Sequence, residues 1–200
     1  MEDRILLLNA SNISEELIIQ SLLDVDKIRP LIIDIEPDAK SILQSCLSRN
    51  YNSRRNQVDA SGLMNDIHFI FRKLWMPGKL ILFDYDLYDG SDPRSNWFFG
   101  GFAGTVRGLG YITLSASRLS DKIHARDLIR HEVGHMFNAP SSGRSNTYEN
   151  LGLHCSNSLC VMQQKDTVTS SIKYAHERER RKARTYCLQC ERDIANYLPN

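Results

Sequence analysis

Four of the five cysteines fall in the last quarter of a 200-residue chain, as Cys155, Cys160, Cys187 and Cys190. That quarter is too poor in apolar residues to fold without a staple. Two close cysteine pairs from separated segments are the usual way to close a tetrahedral thiolate site around a structural zinc. Disulfides are the other use of such pairs, and the start of the chain argues against them. Met1 to Ala10 opens acidic, and its apolar stretch runs only from Ile5 to Leu8, a poor secretory signal. A cytoplasmic, reducing location is therefore expected, with thiols on metal. Cys46 stands alone and reads as a small core residue.

The rest of the chain has ordinary globular composition. Apolar residues make up 42% and charged residues 24%, which excludes a disordered chain, a collagen-like repeat and a membrane protein. No apolar run approaches the roughly 18 residues of a membrane span. Lys plus Arg is 25 against 24 for Asp plus Glu, so the net charge of +1 gives no general pull toward nucleic acid or acidic membranes. Strands are expected at 4–9, 30–35, 79–85 and 111–117, and helices at 14–25, 42–47, 61–74 and 121–137. Residues 50–57 and 90–96 read as loops, and glycines punctuate 100–110. This order predicts one α/β (α+β) domain over residues 1–200 with a mixed, twisted sheet. A boundary near Pro140 separates an α/β part, 1–140, from an irregular part, 141–200, that carries the four cysteines.

The fourth helix contains His131, Glu132, Val133, Gly134 and His135. Histidines at i and i+4 point the same way, so both imidazoles can reach one metal ion, with Glu132 placed to hold a water beside it. A catalytic zinc needs a third protein ligand. Asn138 suits a left-handed helix cap almost as well as glycine, and Pro140 follows where a helix must stop. Ser141 is not an expected ligand. The next histidine is His154, reached across a polar excursion, 141–153. Closure entropy rises slowly with loop length, so His154 can return to the zinc if the excursion bulges outward. Glu177 or Glu179 is the alternative third ligand. The first of the cysteines follows His154 directly.

Here the chain resembles the archaemetzincins, a family of small zinc peptidases. The resemblance lies in His131-Glu132-x-x-His135, His154-Cys155, Cys160, Met162 and Cys187-Leu188-Gln189-Cys190. It extends to 54–59 (RRNQVD), 84–88 (DYDLY) and 115–119 (SASRL), and covers roughly residues 50–190. The chain departs from the family in having Asn138 for glycine, the excursion before His154, and a longer gap from Met162 to Cys187. The resemblance implies a metzincin-like domain with a zinc helix at 121–138. It implies a catalytic zinc on His131, His135 and His154, with Glu132 as general base, and a second zinc on Cys155, Cys160, Cys187 and Cys190. Met162 corresponds to the family's methionine turn beneath the metal.

The expected chemistry is peptide-bond hydrolysis by a zinc-activated water, with no covalent intermediate. The strand at 111–117 is expected to be the sheet edge that pairs with an extended substrate. Tyr111, Tyr148 and Tyr174 are candidate oxyanion stabilisers. Expected partners are a peptide or protein substrate, with no nucleic acid and no membrane, and the chain is expected to act as a monomer. The alternative is a non-catalytic or latent zinc-binding module interacting with a protein or nucleic-acid partner. An intact Glu132 speaks against it, since binding needs no general base. His68, His124 and His176 have no partners at ligand spacing. Residues 174–184 (YAHERERRKAR) mix both charge signs and read as a solvated helix face.

Overall fold

The computed structural model describes residues 3–71, 78–90, 101–106, 109–119, 121–149 and 152–198. Its elements run β1 (Asp3–Ala10), α1 (Glu15–Asp26), β2 (Leu31–Ile35), α2 (Ala39–Asn50), β3 (Tyr51–Asn52), β4 (Gln57–Asp59), α3 (Ala60–Ile70) and β5 (Gly78–Phe83). They continue with β6 (Asp86–Tyr88), β7 (Gly101–Val106), β8 (Leu109–Ser115), α4 (Lys122–Met136), β9 (Thr147–Glu149), β10 (Leu153–Cys155), α5 (Val168–Arg180) and α6 (Leu188–Ala195). The architecture is mixed α/β. Two compact units form, one from Met1–Glu15 with Leu31–Leu119, the other from Glu16–Pro30 with Ser120–Asn200.

The first unit is built on a five-stranded sheet in the order β2-β1-β5-β8-β7. All six residues of β5 are buried. Burial on both faces is what a near-continuous apolar run such as KLILF produces at the centre of a parallel sheet. β1 and β8 flank β5 in parallel, with Leu6 and Tyr111 on either side of Lys79. β7 pairs antiparallel with β8, so β8 is an interior strand and β7 takes the edge. This corrects the expectation that 111–117 is the edge, and the glycine-punctuated stretch hid the extra strand. On one face, Leu6, Leu8, Ile81, Phe83 and Tyr111 pack against Leu43, Cys46, Leu63, Met64 and Ile67 from α2 and α3. Cys46 is fully buried there. The helix expected at 61–74 ends at Ile70. Residues 72–77 and 91–100, part of an expected helix and loop, lie outside the described residues.

The three short stretches that carry the resemblance here hold one another. Gln57 donates to the Leu87 carbonyl at 2.9 Å, and the Arg55 guanidinium lies 4.5 Å over the Tyr88 ring. Arg118 clasps the Asp86 carboxylate at 2.6 and 2.7 Å, and Ser117 donates to it at 2.9 Å. Such bidentate pairs fix orientation as well as distance.

In the second unit α4 is sealed at both ends. Asp121 accepts from the Ile123 and His124 amides at 2.9 Å each, which satisfies two of the orphan donors of a first turn. At the other end Asn138 takes φ +55°. The Asn138 amide reaches the His135 carbonyl and the Ala139 amide the Gly134 carbonyl, both at 2.9 Å, the two bonds of a Schellman cap. The polar excursion that follows, read from the sequence as loop, carries β9, paired antiparallel with β10, and is fastened to α6. Ser141 donates to Asp193 through its amide at 3.0 Å and its hydroxyl at 2.7 Å, and Arg144 pairs with the same carboxylate. Among the described residues, no helix is long and apolar enough to cross a membrane.

Candidate metal centres

His131 and His135 lie one turn apart on α4, and β10 supplies His154. Its hairpin partner Tyr148 sets its register. The His135 Nε2 lies 3.1 Å from that of His131 and 3.3 Å from that of His154. His131 Nδ1 stands 2.8 Å from the Val161 carbonyl, and His154 Nδ1 stands 2.9 Å from the Gly152 carbonyl. A carbonyl only accepts, so these Nδ1 atoms carry the protons and the Nε2 lone pairs of both rings face inward. His135 Nε2 lies between these two acceptors, where three nitrogens can face one cation. Metal–nitrogen bonds of 2.0–2.1 Å at the tetrahedral angle place neighbouring nitrogens about 3.3 Å apart, so the spacing fits zinc.

Electrostatics point the same way. Burial, then repulsion from His154, lowers His131 to about 4, and burial with both neighbours holds His135 well below the ordinary imidazole value. The rings therefore stay neutral, the form that ligates metal. Glu132 is 7% exposed, and burial pushes its carboxyl up to about 8. A cation nearby would oppose that rise.

The four cysteines form the second cluster. Cys155 and Cys187 sulfurs are 3.8 Å apart, and those of Cys160 and Cys190 are 3.6 Å apart. Zinc–sulfur bonds of about 2.3 Å at the tetrahedral angle give about 3.8 Å. All four ligand atoms lie within 4.8 Å of one another. The cluster is also lined with donors suited to thiolates. The Cys187 amide donates to Cys160 Sγ at 3.3 Å and the Asn157 amide to Cys155 Sγ at 3.5 Å. Arg144 donates to Cys190 Sγ at 3.4 Å and Cys155 Sγ at 3.6 Å.

The two clusters share one stretch of chain. Cys155 follows His154 directly. Val161, whose carbonyl orients His131, follows Cys160, and its amide donates to the Thr185 carbonyl at 2.9 Å. Met162 is fully buried against α4. A Cβ on Gly134 would stand 2.2 Å from the Met162 sulfur and 3.1 Å from Tyr186 Cε1, so glycine here permits the close approach.

Other expected site residues are placed differently. Glu177 pairs with Arg180 and Arg181, and Glu179 with Arg126, so neither joins the histidines. Tyr174 donates to the Cys160 carbonyl at 2.8 Å, and Tyr111 lies in the first unit's core, 2.9 Å from His68 Nδ1. The Tyr148 ring stands 6.0 Å from that of His154, and its hydroxyl accepts from the Gln164 amide at 3.1 Å. His124 meets Ser171, and His176 meets Asp121.

Sequence reasoning missed Arg144 and Arg178. Arg178 lies within 174–184, yet it is 3% exposed, which corrects the reading of that stretch as wholly solvated. The signal was present: Tyr174, Ala175 and Arg178 are spaced i, i+1, i+4, one helix face.

No protein-family model matches the sequence, and no curated protein matches it. One solved structure is similar, a zinc-dependent peptidase from Methanocorpusculum labreanum (strain Z), with a TM-score of 0.60 and 17% identity. The match covers 96% of this chain and 99% of that chain. At this identity the likeness shows the fold.

Proposed function

We propose that this chain is a zinc-dependent peptidase of the archaemetzincin kind. On this reading His131, His135 and His154 hold a catalytic zinc, and Cys155, Cys160, Cys187 and Cys190 hold a structural one. One observation carries it. Three imidazoles stand at tetrahedral metal spacing, and α4, which supplies two of them, also carries the buried carboxyl of Glu132. The neighbour of similar fold, itself a zinc-dependent peptidase, supports the reading.

Zinc bound there would polarise the scissile carbonyl and bring the pKa of a water toward about 7. The chain's own groups do the proton work. Glu132 takes the proton of the attacking water and passes it to the leaving amine. Its burial raises its proton affinity and so suits the first half of that transfer. The Val161 and Gly152 carbonyls hold two of the rings in one tautomer. Substrates on this reading are peptides or proteins, bound by a monomer in a reducing compartment.

Native mass spectrometry of reduced protein tests the metal sites, and cleavage of a peptide library tests the activity. Two zinc ions per chain are expected, one after His154→Ala. Glu132→Ala is expected to abolish cleavage with both ions retained. One ion, untouched by His154→Ala and lost in Cys187→Ser, would overturn the peptidase reading in favour of a binding module.

A further inference from the structure

The second unit holds a pocket of about 440 Å³ that opens beside His135. Its walls are the turn after α4, Ser142 and Gly143 of the excursion, and Glu149 facing Leu153 across the hairpin. These walls are small, polar or aliphatic, and Glu149 brings the one carboxylate. No described residue pairs with it. Arg144, a cation of the same excursion, is engaged by Asp193 and by the Cys155 and Cys190 sulfurs. Glu149 is exposed, so its carboxylate is solvated and open to a cationic group that enters the pocket.

The walls are held firmly. Ser141 and Arg144 tie the excursion to Asp193, the Thr147 hydroxyl donates to the Arg144 carbonyl at 2.9 Å, and the Ser156 amide donates to that of Asn146 at 2.9 Å. The pocket therefore exists before anything binds, which spares a ligand the cost of ordering it. Glu149 pairs with Leu153, and the next pair is Tyr148 with His154. Successive side chains point to opposite faces of a hairpin, so Glu149 shares its face with Leu153 and not with His154. What brings it toward the histidines is the pocket, which Glu149 lines together with His135, so a residue flanking a peptide bond held there can reach both.

We propose that this pocket takes a positively charged substrate group and that Glu149 is the residue that selects it. The group is a lysine or arginine side chain, or a free α-amine, within two residues of the bond cut. This inference rests on the peptidase reading and gives it a substrate class.

The test uses full-length, zinc-loaded Glu132→Ala, which binds without cutting. Peptides labelled at the C-terminus carry lysine, norleucine or glutamate at one scanned position, with the N-terminus free or acetylated. Their affinities are read by fluorescence anisotropy. Binding of the cationic peptide at least tenfold tighter than its neutral match is expected. Adding Glu149→Gln should erase that preference, and Glu149→Lys should turn it toward glutamate. Loss on acetylation assigns the group as the α-amine, and loss with norleucine assigns it as the side chain. Equal binding of all peptides, or a preference that survives Glu149→Gln, overturns the inference. Library cleavage by the unaltered chain separates the two failures. Cleavage without basic preference removes this inference alone, and no cleavage removes the peptidase reading with it.

Discussion

Arg178 is where a single substitution should do most damage away from the histidine and cysteine clusters. Its guanidinium donates to the Leu159 carbonyl at 2.8 Å, to the Arg184 and Thr185 carbonyls at 2.9 Å each, and to the Asp127 carboxylate. It therefore binds α4 to both segments that lead into the cysteine pairs. Arg178→Met keeps the packed stem and removes every donor. Thr185 O keeps the Val161 amide, but Leu159 O and Arg184 O lose the donors described here, at about 1–3 kcal/mol for each one left buried. Breaking a buried ion pair costs about 3–5 kcal/mol. Here the low end applies, because Asp127 keeps Arg130 at 3.4 Å. With the low end for the half-exposed carbonyls too, the loss should be about 5 kcal/mol, a large part of the roughly 5–15 kcal/mol that holds a domain folded. Arg178→Lys keeps the charge but not the fork and should lose about half as much. Arg180, two residues on, pairs with Glu177 in solvent, and Arg180→Met should cost under about 1 kcal/mol. Urea unfolding followed by far-UV circular dichroism, at one fixed free zinc concentration, makes the comparison. If Arg178→Met costs no more than Arg180→Met, the guanidinium is not the tie described here.

Three further substitutions probe other parts of the structure. Gly134→Ala sets a helix gain of about 1 kcal/mol against overpacking of about 1–3 kcal/mol on fully buried Met162, so a net loss near 1 kcal/mol is expected; a raised melting temperature would contradict it. Asn138→Gly should be neutral within about 1 kcal/mol, since φ +55° suits glycine, whereas Asn138→Val should cost about 1–2 kcal/mol; equal melting temperatures for the two variants would count against the cap. Lys79 is fully buried over the Tyr111 ring, and burial lowers its ammonium to about 8 from 10.5. Between those values the unfolded chain holds the proton more tightly, so this residue makes stability rise with pH across that window. Lys79→Met should add about 1–2 kcal/mol at pH 7 and flatten the rise, and parallel pH profiles of the two proteins would refute it.

Much of this was legible in the residues because it depends on local pattern. The 3.6-residue period of α4, its i, i+4 histidines and the left-handed Asn138 are all properties of consecutive residues. The apolar run that becomes β5 is one too. What was not legible depends on backbone groups or distant pairing. The partners of His131 and His154 are the carbonyls of Val161 and Gly152, which any residue type supplies. β7 lies in a glycine-punctuated stretch whose pairing with β8 supplies the strand that local pattern did not. The excursion reads as loop because Ser, Gly, Asn and Thr dominate it. Its order comes from Arg144 meeting Asp193 and two sulfurs of a cluster that exists only after folding.

That dependence gives the cysteine cluster a second role besides stapling a small core. His154 precedes Cys155, and Val161, which orients His131, follows Cys160. The segment between those cysteines thus sets the position of one imidazole and the tautomer of another. A single chain entropy cost then orders two sites, because fixing Cys155 and Cys160 already restricts the residues on either side. The same cluster holds Arg144, and through it the excursion that forms the pocket wall. Three features that lie apart in the sequence are therefore different outputs of one ordered segment. They are the histidine returned by the hairpin, the tautomer of the first α4 histidine and the wall bearing Glu149. A long polar insertion before His154 is tolerated because the cluster and Asp193 anchor it, and the hairpin, rather than loop length, decides where the imidazole arrives.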